Sequence, residues 1–149
     1  MATIRLPPDF SEFLTLLNQQ GVEYLLIGGY AVNLYGYVRA TGDLDVFIAL
    51  NPENVARLVA AFHDFGLTSM TAEVVQPGKI LRMGVPPLRI EVLNEISGVT
   101  FAEAYAAREQ MEVDGLSIPV ISLHHLRQNK AASGRPKDLG DLDELPPSP

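Results

Sequence analysis

The stretch Tyr24–Ile48, which reads YLLIGGYAVNLYGYVRATGDLDVFI, constrains the fold more than any other part of the chain. An apolar strand leads into Gly28-Gly29 and a short helix, and a second strand opens with Asp43-Leu44-Asp45. Because side chains alternate between the faces of a strand, Asp43 and Asp45 point the same way, about 6.6 Å apart along it. Two neighbouring carboxylates repel each other, and a bound divalent cation, Mg²⁺ or Mn²⁺, removes that repulsion.

The turn before this helix is suited to phosphate. Free backbone N–H groups and the helix dipole favour an anion at a strand-to-helix turn, where Gly28 and Gly29 lie. The chain lacks the Gly-x-Gly-x-x-Gly pattern and the Walker lysine, which disfavours dinucleotide and P-loop sites. A phosphate turn and a carboxylate pair within twenty residues therefore predict metal-dependent nucleotide chemistry.

Length and composition limit the classes of protein. The 149 residues fit one domain, expected over 1–145 with a disordered tail over 146–149. The absence of cysteine excludes disulfides, thiolate–zinc sites and a cysteine nucleophile. There is no signal-peptide core and no apolar run long enough for a bilayer, so we expect a cytoplasmic protein without membrane contact.

The charge pattern restricts the partners. A net charge of −7 argues against broad electrostatic binding of nucleic acid. Four basic residues nevertheless cluster near the C-terminus: Arg127, Lys130, Arg135 and Lys137. Such a cluster suits a triphosphate or one polynucleotide end.

The order of elements predicts an α/β (α+β) fold with a mixed β-sheet flanked by helices. We expect helices over 8–20, 30–37, 52–65, 101–108, 123–132 and 136–145, and strands over 22–27, 44–50, 67–75, 80–83 and 88–93. Pro77-Gly78 predicts a hairpin between 67–75 and 80–83, and Asp114-Gly115 predicts a second hairpin within 112–121.

A third carboxylate from a neighbouring strand would complete a two-metal site. Glu91 is the candidate, although it could instead pair with Arg89 or Arg82 at a sheet surface. Arg39 suits either a phosphate contact or a structural ion pair, and Lys130 suits either a triphosphate contact or a solvated helix face.

Asp138 and Asp141, three residues apart on a predicted helix, are expected to be capping or solvated groups.

The run Ile27-Gly28-Gly29, thirteen residues and then Asp43-Leu44-Asp45-Val46 resembles the motif of the DNA polymerase β-like nucleotidyltransferase superfamily. The resemblance implies that Gly28 and Gly29 form the phosphate turn. It also implies that Asp43 and Asp45 are metal ligands and that Glu91 is the third catalytic carboxylate and metal ligand.

Within that superfamily, the run from Arg39 to Asp45 is similar to the abortive-infection (AbiE-type) toxin nucleotidyltransferases and their small relatives. Lys130 fits a downstream lysine motif of these proteins, and Arg135-x-x-Asp138-x-x-Asp141 fits a second motif. The resemblance therefore implies nucleotide contacts from Arg39, Thr41 and Lys130. The chain departs from the full-length toxins because it lacks their large helical C-terminal domain.

The resulting prediction is an enzyme that moves an NMP from an NTP to an acceptor hydroxyl on a tRNA end, a protein or a small molecule. A role in a toxin–antitoxin or phage-defence system would follow from the toxin resemblance, with a homodimer or a partner protein completing the cleft. One alternative is an NTP-binding partner or antitoxin module without turnover. A third is a metal-dependent phosphatase or nuclease that uses the same carboxylates.

Overall fold

Helices and short strands alternate along the chain in the computed structural model, which describes residues 4–148. The helices are α1 (Pro8–Gln19), α2 (Gly28–Leu34), α3 (Pro52–Asp64), α4 (Phe101–Ala106), α5 (Leu123–Ser133) and α6 (Pro136–Glu144). The strands are β1 (Tyr24–Ile27), β2 (Leu44–Ile48), β3 (Leu81–Met83), β4 (Ile90–Leu93), β5 (Glu109–Val113) and β6 (Leu116–Val120).

The strands form one six-stranded sheet in the order β3-β4-β2-β1-β6-β5. At its centre β1 runs antiparallel to β2, whereas β2 is parallel to β4 and β1 is parallel to β6. Antiparallel pairs at both edges, β3 with β4 and β5 with β6, complete the sheet. The predicted mixed sheet with flanking helices is therefore confirmed.

Aromatic packing joins the helices to one another and to the sheet. Phe13 of α1 stacks on Phe62 of α3 with ring centroids 5.9 Å apart. Phe47 of β2 meets Phe101 of α4 edge-on at 5.1 Å. Since Phe47 lies two residues after Asp45, α4 covers the continuation of the face on which that carboxylate stands.

Local signals set the ends of several elements as expected. The side chain of Asn51 accepts a hydrogen bond from the Asn54 N–H and caps α3, whose first residue is Pro52. Ser122 caps α5 in the same way, and Gly134, in the left-handed region at φ 66°, ends it. Asp114-Gly115 forms the turn between β5 and β6, so the second predicted hairpin is confirmed.

The first predicted hairpin is wrong in its first strand. Residues 67–75 form turns and a 3₁₀ turn at Ala72–Val74, because this segment meets no partner strand and buries only Val75. Asn94 holds the Pro77-Gly78 turn instead, accepting from the Gly78 N–H at 2.8 Å and donating to the Gln76 carbonyl at 2.9 Å. The antiparallel partner of β3 is the following strand, β4.

Two further expectations concern the chain ends and membranes. The single domain over 1–145 and the disordered tail over 146–149 stay predictions, since residues 1–3 and 149 lie outside the described residues. Within the tail, the Pro146 carbonyl accepts a hydrogen bond from Arg127 at 3.2 Å.

Between residues 4 and 148, no helix has the length and apolar character needed to cross a bilayer.

Asn54 is a buried polar side chain that ties α3 to the sheet. Its Oδ1 accepts from the Glu23 N–H at 2.7 Å, and its Nδ2 donates to the carbonyls of Glu23 and Ala49 at 3.1 and 2.8 Å. We expect Asn54→Ala to lower the free energy of unfolding in urea by about 3 kcal/mol, because it leaves buried backbone groups without partners. Asn51→Ala, which removes only the helix cap, should cost about 1 kcal/mol. Equal losses in the two variants would contradict this role.

Candidate active site

Three predicted carboxylates meet at one cleft. Asp43 directly precedes β2, Asp45 lies within it, and the register of the parallel pair places Asp45 beside Glu91 of β4. All three line a cleft of about 880 Å³, a volume typical of a small-molecule site. The alternation of the Asp-Leu-Asp strand therefore does bring Asp43 and Asp45 to a common face, and the neighbouring strand adds Glu91.

Crowding of negative charge perturbs Asp45. Burial raises its pKa, the charges of Glu91 and Asp43 raise it further, and the result is about 6 despite the opposing charges of Lys130 and Lys137. A carboxylate that is buried among other carboxylates favours either a proton or a cation. Asp45 is therefore the group of this cluster that a bound cation would relieve most.

Arginines neutralise the other two carboxylates. Arg89 Nη2 donates to Asp43 Oδ2 at 2.8 Å and lies 3.1 Å from Glu91 Oε1. Arg82 Nε approaches the same Glu91 oxygen at 3.4 Å, from a more exposed side chain. The interpretation of Glu91 as an ion-pair partner of these two arginines therefore holds in this arrangement, while the carboxylate still faces the cleft.

The carboxylates suit Mg²⁺ or Mn²⁺ in kind, because hard divalent cations prefer oxygen ligands. Asp45 packs against the backbone of Gly28 so closely that a Cβ atom there would overlap Asp45 Oδ2. Within the part of the chain that the structure describes, however, no three acidic or histidine side chains are arranged to hold a metal ion. Arg89 instead pairs with one oxygen each of Asp43 and Glu91, so it would compete with a cation that uses all three carboxylates.

The two glycines are the first residues of α2 rather than a loop before it. Gly28 has φ +70°, a conformation that favours glycine, and it lies against Asp45. A Cβ atom on Gly29 would overlap Thr41 Oγ1. Packing against Asp45 and Thr41 therefore requires glycine at both positions, whether or not phosphate also approaches them.

The remaining predicted nucleotide contacts divide into two groups. Thr41 packs against Gly29 and is not among the residues that line the cleft, whereas Arg39 and Lys130 do line it. Lys130 is only 5% exposed, so the alternative of a solvated helix residue is wrong. Its ammonium lies 3.0 Å from Asp138 Oδ1 and 3.1 Å from Asp141 Oδ2.

Asp138 and Asp141 are buried, which corrects the expectation that they are capping or solvated groups. Asp141 accepts two hydrogen bonds from Arg39, at 2.8 Å from Nε and 2.9 Å from Nη2. Asp138 accepts from Ser133 Oγ at 2.6 Å and from Arg135 Nε at 2.7 Å. The carboxylates turn inward because cations from α5 and from the segment before β2 converge on them, and the two aspartates join these elements to α6.

The hydrogen bonds and charges of this buried network favour the ionised form of Asp138 and Asp141 over the protonated form. Burial alone would raise the pKa of Asp138, but hydrogen bonds from Arg135, Ser133 and Lys130 outweigh it and hold the pKa at about 2. The pKa of Asp141 is also lowered, because hydrogen bonds from Arg39 and Lys130 outweigh its burial.

The cleft concentrates positive charge in an acidic chain. Six of the eleven lysine and arginine residues line it: Arg39, Arg82, Arg89, Lys130, Arg135 and Lys137. They face five acidic side chains, whereas the whole chain carries a net charge of −7. The sequence pattern drew attention to Lys130, Arg135 and Lys137 as a basic cluster, but it named Arg82 only as an alternative ion-pair partner of Glu91.

Comparison with known proteins places this architecture among nucleotidyltransferases. The family model described as "Nucleotidyl transferase of unknown function (DUF2204)" matches residues 8–147. The crystal structure of TM1012 from Thermotoga maritima superposes with a TM-score of 0.63 at 16% identity, covering 91% of this chain and 88% of that one. The solution structure of the antibiotic-resistance factor ANT(2'')-Ia gives a TM-score of 0.58 at 13% identity, covering 91% and 79%. No curated protein matches the chain in sequence.

Because of this buried network, the free energy of unfolding should depend on pH in the acidic range. Because the pKa of Asp138 falls from 3.8 to about 2 on folding, its charge stabilises the fold above pH 4, and this contribution disappears as the pH falls towards 2. We expect Asp138→Asn to cost about 2 kcal/mol at pH 7 and much less near pH 2, measured by urea unfolding across this range. The control is Asp143→Asn, an exposed position on the same helix. A cost that stays constant with pH would contradict the role of the charge.

Proposed function

Because this chain belongs to the nucleotidyl transferase family matched over residues 8–147, we propose that it transfers an NMP from an NTP to an acceptor hydroxyl with the help of Mg²⁺ or Mn²⁺. One observation carries the proposal. Three carboxylates from neighbouring strands face a cleft that holds six of the eleven basic residues of the chain. Carboxylates attract the cation, and the basic side chains attract the triphosphate to which the cation is bound.

The carboxylates would hold the cation. Asp43, Asp45 and Glu91 supply the oxygen ligands, and Asp45 gains most because burial and its two acidic neighbours raise its pKa to about 6. When bound, the cation would polarise the α-phosphate and favour deprotonation of the acceptor hydroxyl.

The transfer itself exchanges one bond for another. The acceptor oxygen forms a bond to the α-phosphorus, the bond from that phosphorus to the bridging oxygen breaks, and pyrophosphate leaves. The hydroxyl proton passes to a carboxylate oxygen, which we assign to Glu91 because it faces the cleft from β4. A second role of Glu91 as a metal ligand is compatible with its two oxygens.

The basic side chains would bind the triphosphate at different depths. Arg135 and Lys137 are exposed at the start of α6, and although Arg135 Nε pairs with Asp138, the Arg135 side chain is 75% exposed and within reach of an incoming anion. Lys130 and Arg39 are less exposed and are held by Asp138 and Asp141. We therefore assign phosphate capture to the exposed pair, whereas Lys130 and Arg39 supply a fixed positive charge that orients α6 beside the carboxylates.

The acceptor is proposed to be an RNA 3′ end, because the basic lining of the cleft favours a substrate that carries phosphate. This choice agrees with the AbiE-type resemblance of Arg39–Asp45, from which the toxin–antitoxin or phage-defence role also comes. A protein hydroxyl or a small-molecule hydroxyl are the other outcomes of the assay below. Cytoplasmic location and a homodimer or partner protein remain part of this proposal.

A transfer assay with α-³²P-labelled NTPs, Mg²⁺ and separate RNA, protein and metabolite fractions tests the function. We expect label in the RNA fraction, and we expect Asp43→Asn and Asp45→Asn each to lower the rate by about 10²- to 10⁴-fold, since each removes a charged ligand at the reacting phosphate. Asp143→Asn, the same change at an exposed position of α6, should keep the rate.

Full activity of Asp45→Asn would contradict the assignment of the carboxylates. If the protein binds Mg-NTP but releases no pyrophosphate, it is an NTP-binding module and not an enzyme.

A further inference from the structure

Arg89 stands where a cation bound by the carboxylates would have to compete. Its Nη2 is 2.8 Å from Asp43 Oδ2 and 3.1 Å from Glu91 Oε1, so one nitrogen spans carboxylates of two neighbouring strands. The positive charge of the guanidinium satisfies the same oxygens that would ligate a metal ion. Arg89 therefore competes with a metal ion for these oxygens.

Arg82 does not compete in the same way. It reaches only Glu91, at 3.4 Å, and its side chain is 54% exposed against 30% for Arg89. The weaker and more solvated contact contributes less to holding the carboxylates. Arg82 is thus a natural internal comparison for any effect assigned to Arg89.

The side chain of Arg89 can leave without disturbing the sheet. Its carbonyl accepts from the Leu44 N–H at 2.9 Å, which fixes the backbone against the start of β2. A rotation of the side chain alone would keep this backbone hydrogen bond. The Nε of Arg89 is buried and has no hydrogen-bond partner among residues 4–148, which is energetically unfavourable. An anion that accepts a hydrogen bond from this N–H would remove that cost, so its binding would favour movement of the guanidinium.

We propose that Arg89 holds Asp43 and Glu91 in the nucleotide-free protein and excludes the divalent cation until a nucleoside triphosphate arrives. Arg89 then moves from the carboxylates to phosphate oxygens, and the cation takes its place. This inference rests on the proposed function. It makes Arg89 a positioning residue that couples the binding of metal to the binding of nucleotide.

The consequence is measurable without turnover. In the absence of nucleotide, wild-type protein should bind Mn²⁺ weakly, because the ion must displace Arg89. Arg89→Met, which keeps an unbranched aliphatic stem and removes the charge, should bind Mn²⁺ at least about tenfold more tightly. Arg89→Lys, which keeps the positive charge on a shorter side chain without the planar guanidinium, should fall between the two.

Mn²⁺ binding is followed by electron paramagnetic resonance of the free ion, and thermal unfolding with and without Mn²⁺ gives a second measurement. Arg89→Met loses the partner of Asp43 and should melt lower without metal, and Mn²⁺ should raise its melting temperature more than that of wild type. Arg82→Met and Arg57→Met are the controls. The first removes a neighbouring arginine of the cleft, and the second removes an exposed arginine of α3, outside it.

Four outcomes are decisive. Tighter Mn²⁺ binding by Arg89→Met alone supports the proposal. If Arg82→Met binds Mn²⁺ more tightly by the same factor, the effect is one of general electrostatics and the proposal is overturned. If wild type and Arg89→Met bind Mn²⁺ equally while Asp45→Asn loses transfer activity, the coupling role is wrong and the proposed function stands. If no variant binds Mn²⁺, with or without NTP, and transfer is absent, both fail together.

Discussion

The repulsion among Asp43, Asp45 and Glu91 is the interaction on which the arrangement of the cleft depends. The register of β2 and β4 places the three carboxylates on one face of the sheet. The surrounding residues must therefore compensate the repulsion among these negative charges. Arg89 and Arg82 compensate Asp43 and Glu91, whereas Asp45 remains with its pKa raised to about 6. Under the proposed function, the destabilising cluster would provide a place where a cation binds favourably.

A second cluster of charges, outside the sheet, gives the cleft its other wall. Asp138 and Asp141 lie on α6 and draw in Lys130 of α5, while Asp141 also holds Arg39, 102 residues away in sequence. The helix α5 is in turn fixed to the loop after β4 by Gln128, which donates to the Gly98 carbonyl at 2.6 Å. These contacts fix the basic wall against the carboxylates, as the proposed binding of phosphate at a set distance from a metal would require.

The parts of this architecture that sequence predicted are those with local causes. Alternation along Asp43-Leu44-Asp45, the Asn51 cap and the Asp114-Gly115 turn each act within a few residues, and the structure has all three. The strand expected over 67–75 failed because a strand needs a partner, which no local pattern supplies. The burial of Asp138 and the bridge from Arg89 likewise depend on contacts between distant segments, which spacing on one helix or strand does not reveal.

A crystal structure of the protein with Mn²⁺ and a non-hydrolysable NTP analogue would show the metal and the nucleotide together, since manganese can be located by its anomalous scattering. We expect a manganese peak bound by Asp43 and Asp45, the triphosphate in the basic cleft, and the Arg89 guanidinium turned from Asp43 to a phosphate oxygen. Manganese and nucleotide bound elsewhere on the protein, with Arg89 still on Asp43, would contradict this expectation.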